Sequence, residues 1–321
     1  MQRSGKRRVV DAHIHLYDSR ENIYPFLDQV DEMFEALIGD YSVLPRRYLF
    51  DDYLHDESGL DITGIVWHEF LSTDPVREVH WAQRLADRSE IPISIVGLVD
   101  FLAPDLEATL ETYAGCANVS AVREHLGWDE DRPMRRFAKR PGLLLDTQWR
   151  QGLKRLNGKR FKCSIEVFST QLADLLAVVT ENPNLGFTIA VMGWPNKIDG
   201  DEFDRWKNDL CNLSKRENVR ITISGLECVF GMNWPVSQVR PWVETVFDLF
   251  DTGRIMFGSH RPISRLAGNF CTPFTAYEEL TADLSRTEQD AVFRVNAAEW
   301  FFGEIELPDR LTHIDRAMTE E

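Results

Sequence analysis

The chain has 321 residues, with 52 Asp or Glu against 36 Lys or Arg, a formal charge of −16 with neutral His. That balance repels phosphate backbones and argues against a nucleic-acid partner, since the densest basic run, RPMRRFAKR over 132–140, is short and carries no nucleic-acid motif. An apolar content of 43% supplies a core, no apolar run approaches the ~20 residues that span a bilayer, and five cysteines without C-x-x-C spacing speak against disulfides or a zinc knuckle.

These features read as a cytoplasmic protein with free thiols. The opening MQRSGKRR is basic, but only a strand-length apolar stretch follows, which does not match a secretory signal.

In chain order, the first predicted element is a strand over 8–15 (RVVDAHIH), short and rich in Val and Ile. The stretch 16–59 is long for a strand-to-helix connection; it carries Tyr24-Pro25 and a short helix predicted over 45–54. Further strands are predicted at 61–68, 91–99, 118–124, 161–168, 185–192, 218–224 and 254–258. Apolar residues at three- and four-residue spacing predict helices over 75–87, 104–114, 146–156, 171–181, 201–214 and 236–250, then 278–283 and 287–301. Asp74 before Pro75 and Thr170 before Gln171 are candidate N-caps.

Eight strands, each followed by helical sequence, predict an α/β chain folded as a (β/α)8 TIM barrel. The expected organisation is one domain over 1–306, with a long loop after strand one and a polar C-terminal tail over 307–321. A doubly wound open sheet would usually announce a glycine-rich loop after its first strand. The residues that follow here, HLYDSREN, contain no glycine. On the barrel, the 16–59 stretch leaves the C-terminal end of strand one, where it can cover a site.

Asp11-Ala12-His13-Ile14-His15 is the strongest local signal. Residues i and i+2 of a strand share a face, so His13 and His15 converge on one point at the barrel mouth. Arg123, at the end of strand four, is a charged residue where barrel enzymes place their chemistry. Trp194 follows strand six and is a candidate wall, as are Trp67 and Trp128. His68 and Glu69 end strand two and point opposite ways if both are in it, so one faces the barrel. His125, His80 and His55 read as helix or loop residues, and His313 as part of the tail.

The D-A-H-x-H motif after a short first strand resembles the amidohydrolase superfamily. The closer resemblance is to its amidohydrolase-2 branch of metal-dependent TIM-barrel hydrolases, lactonases among them. It extends over about residues 8–302 through Tyr24-Pro25, Asp74-Pro75-Val76, GLVD at 97–100, Val122-Arg123, Gly193-Trp194-Pro195, Ser224-Gly225-Leu226, MFGSHRP at 256–262 and Asn296-Ala297-Ala298. Two departures stand out. Where the branch commonly has Asp-His before Gly-x-Pro, this chain has Ala190-Val191. Where it often has G-S-D-x-P after strand eight, this chain has Gly258-Ser259-His260-Arg261-Pro262, which removes the usual proton acceptor.

The resemblance implies a hydrolase that opens a small lactone or related cyclic ester with an activated water. Its alternatives are a decarboxylase or lactone isomerase on the same barrel, or a divergent ligand-binding member without catalysis. The expected catalytic residues are His260 and Arg123, with Glu69, Arg261 and Trp194 binding substrate. His13, His15 and Glu166 are the expected ligands of one divalent metal ion, zinc first among candidates, with a metal-free mechanism also open. The expected partner is a small molecule, a lactone or carboxylate, with no nucleic acid and no membrane; oligomeric state is not legible.

Overall fold

The computed structural model describes residues 5–198, 200–267 and 272–303. Cys271, His313 and the tail expected over 307–321 lie outside the described residues.

Eight parallel strands form the barrel: β1 (Arg8–Ile14), β2 (Asp61–His68), β3 (Ile93–Leu98), β4 (Val119–His125), β5 (Lys162–Glu166), β6 (Phe187–Ile189), β7 (Val219–Ile223) and β8 (Ile255–Phe257). Their order in the sheet is their order in the chain, the signature of a barrel rather than an open doubly wound sheet. The last strand joins the first just past its end. The His260 N–H donates to the His13 carbonyl at 2.7 Å, and the His15 N–H donates to the Arg261 carbonyl at 2.8 Å.

Both faces of each strand are covered, so the strands read as near-continuous apolar runs such as Ile62 to Trp67. The closing helix (Asn296–Phe302) plugs the end where the strands begin. Phe301 packs with Val10, Val66, Val96, Ala121 and Met256, and its carbonyl accepts from Ser94 Oγ at 3.1 Å. That leaves the opposite end, where the strands finish, as the open mouth.

The outer helices follow the predicted periodicity. Pro75–Ala86 is capped as expected by Asp74, whose carboxylate accepts from the Arg77 N–H at 3.0 Å. Thr170 is not a cap; it sits inside a 3₁₀ turn, Ser169–Gln171, that precedes the helix Leu172–Glu181. In the helix Thr147–Leu153, a Cβ on Gly152 would lie 1.9 Å from the Phe101 carbonyl oxygen. Gly152→Ala is therefore expected to destabilise the fold by ~1–3 kcal/mol or more, read as a lower urea midpoint.

Strand six departs from expectation. It ends at Ile189 instead of running to 192, because Val191, Met192, Gly193 and Trp194 have φ of 50°, 55°, 71° and 37°. Consecutive left-handed residues cannot extend a pleat, and a β-branched residue with positive φ is a conformational outlier.

The 16–59 connection holds more structure than expected. Tyr17–Asp18 pairs antiparallel with Arg47–Tyr48, and helices form at Pro25–Asp28, Glu32–Ile38 and Phe50–Asp56. The second is capped by Asp31, which accepts from the Met33 and Phe34 N–H groups at 2.9 Å each. It carries Phe34, Leu37 and Ile38 over the barrel mouth.

Candidate active site

The alternation of β1 sets three polar side chains in line. Asp11 lies deepest and accepts from the Ser259 N–H (2.8 Å), the Tyr53 hydroxyl (2.9 Å) and the His13 N–H (3.2 Å). Burial nevertheless pushes its carboxyl up to about 6. Asp11 thus ties the first strand to the segment after β8.

Above it, His13 Nδ1 hydrogen-bonds Ser224 Oγ at 2.8 Å. His15 Nδ1 donates to the carbonyls of His68 and Glu69, both at 3.1 Å, which leaves the lone pair on its Nε2. Burial first, then the crowding of neighbouring imidazoles and the Arg123 guanidinium, holds both imidazoles well below the usual histidine range. His260 approaches from the segment after β8 with φ of 56°, and its Nδ1 sits 2.5 Å from Glu227 Oε1.

The ring centroid of His13 is 5.0 Å from that of His15 and 4.7 Å from that of His260. One ligand atom from each of the three lies within 4.8 Å of the other two. His13 Nε2 is buried with no protein partner. An orphaned lone pair beside two further imidazoles, each steadied through its other nitrogen, suits a divalent ion. The cluster can hold a metal.

Glu166 does not join this cluster. Arg123 Nη1 donates to its Oε1, and His125 Nδ1 lies 2.7 Å from its Oε2. Arg123 Nε also donates to Glu69 Oε1 at 2.6 Å, and His125 Nε2 sits 2.8 Å from that same oxygen. The four groups form a paired set of two cations and two carboxylates, buried except for the half-buried His125. Despite burial, Arg123 and His125 hold both carboxyls far below the usual range. The carboxylates in turn outweigh the burial of His125 and raise it to about 9.

Three expectations are corrected here. His125 is no helix or loop residue; it ends β4 on the face of Arg123, two residues on. His68 and Glu69 both turn inward, because the strand stops at His68 and alternation stops with it. The His68 ring lies 4.2 Å from that of His13. Arg261 is buried with Nε donating to Glu57 Oε1 at 2.7 Å, and neither it nor Glu69 lines the cavity at the mouth.

That cavity has a volume of about 170 Å³. Its floor is His13, His15, His260, Arg123, His125 and Glu166, and Trp194 and Val191 stand at its side. Trp67 and Trp128 do not line it; the Trp67 indole donates to the Leu16 carbonyl at 2.8 Å. Glu227, Cys228, Phe70 and Phe137 were not foreseen as site residues. Gly225, at φ 62°, reverses the chain after β7 into the turn that presents Glu227, and the Ser-Gly pair there was the available signal.

The buried titrating groups make stability pH-dependent. His125, raised from 6.5 to about 9, contributes stability that is complete below 6.5 and lost as pH rises through 9. Asp11 (about 6), Glu57 and Glu124 (about 7) and Glu78 (about 8) also hold protons more tightly when folded, so raising the pH removes stability there too. Glu69 and Glu166 act oppositely, their contribution being lost as pH falls below the usual carboxylate range, and His13, His15 and His68, held neutral when folded, cost stability as pH falls below 6.5. The urea midpoint is therefore expected to be higher at pH 7 than at pH 9. His125→Gln is expected to flatten that alkaline decline; an unchanged slope would remove His125 as its source.

The amidohydrolase family profile matches residues 10–303. The uncharacterized protein y4mH of Sinorhizobium fredii is 28% identical over 296 residues, 91% of this chain and 98% of that one. An L-fucono-1,5-lactonase of Burkholderia ambifaria is 24% identical, over 81% of this chain and 82% of its own. A crystal structure of an amidohydrolase from Burkholderia multivorans with bound zinc superposes with a TM-score of 0.73 at 21% identity, covering 94% of this chain and 99% of that one. No helix among the described residues is long and apolar enough to cross a membrane.

Proposed function

The chain belongs to the amidohydrolase family, and on that premise we propose that it is a hydrolase that opens a small lactone or related cyclic ester with an activated water. The observation that carries this reading is the Glu227–His260 pair facing His13 and His15 across the floor of the cavity. Glu227 fixes the His260 ring through Nδ1, so Nε2 faces the reacting water. As the water oxygen attacks the carbonyl carbon, Nε2 takes its proton. The ring C–O bond then breaks, and the proton passes to the departing alkoxide, giving a hydroxy acid.

Arg123, locked by Glu69 and Glu166, offers a fixed positive charge to the developing oxyanion. Glu69 acts through Arg123, and Arg261 acts through Glu57 by fixing the loop that carries His260. Both are positioning residues in this scheme, while Trp194 contacts the substrate body.

His13 and His15 would hold one divalent ion, zinc by preference for an imidazole donor set, while the Nε2 of His260 is kept for the proton of the water. Bound there, the ion would polarise the carbonyl and lower the pKa of water. Elemental analysis of the purified protein is expected to find about one divalent ion per chain.

The direct test is a panel of lactones followed with a pH indicator. Acid release from at least one class is expected. A panel that stays neutral, or carbon dioxide release from aromatic acids instead, would overturn the hydrolytic reading.

A further inference from the structure

We propose that the substrate is an uncharged cyclic ester with an aryl or alkyl body, rather than a polyhydroxylated sugar lactone or a dicarboxylate. The reacting group is taken from the function proposed above; the nature of the body rests on the cavity itself.

The cavity is divided sharply by polarity. Among the described residues, the walls above the imidazole floor are Phe34 and Leu37 from the covering helix, with Phe70, Phe137, Trp194 and Ile263 from four other segments. None of these six carries a hydrogen-bonding side chain except Trp194, through its indole N–H. A sugar lactone presents several hydroxyls around its ring, and each would lose water on entry while these walls offer at most the single Trp194 indole N–H as a partner.

The charged side chains of the floor hold no unpaired cation for a substrate carboxylate either. The positive charges of Arg123 and His125 are matched by the carboxylates of Glu69 and Glu166 within hydrogen-bonding distance. A substrate carboxylate would have to displace one of these buried carboxylates. An uncharged ester needs no such exchange, since its carbonyl meets the floor and its body meets the aromatic and aliphatic walls. The sharpest contrast is with the L-fucono-1,5-lactonase relative, whose name specifies a sugar lactone.

A binding experiment with unreactive probes tests the body independently of hydrolysis. The probes are 4-phenylcyclohexanone, which has the apolar body and carbonyl but no ester, and a polyhydroxylated δ-lactam of the same ring size. Titration of the full-length protein by calorimetry is expected to favour the ketone by on the order of 10²-fold in Kd. Equal or tighter binding of the lactam, or no binding of the ketone at millimolar concentration, would overturn the proposal.

Leu37→Asn supplies a second readout. Leu37 is half-buried on the covering helix, so the substitution leaves the barrel core intact. It is expected to weaken the ketone by ~10-fold or more and narrow the preference; an unchanged ratio would also count against the proposal. If the ketone binds selectively yet no lactone is hydrolysed, the assignment of the body stands and the hydrolytic reading fails.

Discussion

Replacing His260 by glutamine is expected to lower kcat by roughly 10²–10⁴-fold, the range for loss of a positioned general base. Glutamine retains an N–H that can reach Glu227, so the buried carboxylate keeps a donor, but the amide cannot accept the water's proton. Turnover should collapse while the urea midpoint stays close to that of the native chain. Metal content measured on the same variant assigns the role of His260. If the ion is retained, His260 is the base; if ion and turnover are lost together, it is the third ligand and the proton acceptor lies elsewhere. Full activity would remove it from the machinery altogether.

The second large effect is structural. Arg123→Met deletes the cation shared by Glu69 and Glu166, both buried. Breaking a buried ion pair by removing one partner costs about 3–5 kcal/mol, because a desolvated charge is left uncompensated. The expected outcome is a urea midpoint lowered accordingly and loss of turnover. Arg123→Met combined with Glu69→Gln should recover part of that stability, since only one carboxylate then remains for His125 to neutralise. A double-mutant cycle measures the coupling directly. Additive losses would show that the four groups do not act as a unit.

The fold was legible because its signals are local and repeated. Val- and Ile-rich runs bounded by turns mark all eight strands, and Asp61–His68 coincides with its predicted bounds. The exceptions are conformational. Nothing in Ala190-Val191-Met192 announces left-handed backbone, since valine and methionine seldom adopt it, so strand six read three residues too long. The covering helix Glu32–Ile38 is seven residues and gains its place from packing across the barrel mouth, which a short periodicity cannot reveal.

At the site, the strand period brought His13 and His15 together correctly. Glu166 illustrates what residue type cannot decide. As a carboxylate at a strand end it suits a metal, but its two oxygens meet Arg123 and His125 in space, and only the register of β4 against β5 reveals that. Glu227 was hidden for a similar reason: it reaches His260 through the turn at Gly225, across 33 positions of sequence.

The way the barrel closes has a dynamic consequence. The backbone hydrogen bonds that join the last strand segment to the first run from the His260 N–H to the His13 carbonyl and from the His15 N–H to the Arg261 carbonyl, so His13, His15 and His260 carry both the junction and the imidazole cluster. Opening of that junction would separate His260 from His13 before the rest of the sheet lets go. Catalytic competence then reports on the breathing of a single strand pair. Deuterium uptake at the His15 and His260 amides should accelerate on warming in step with reversible loss of turnover, and both should precede global melting.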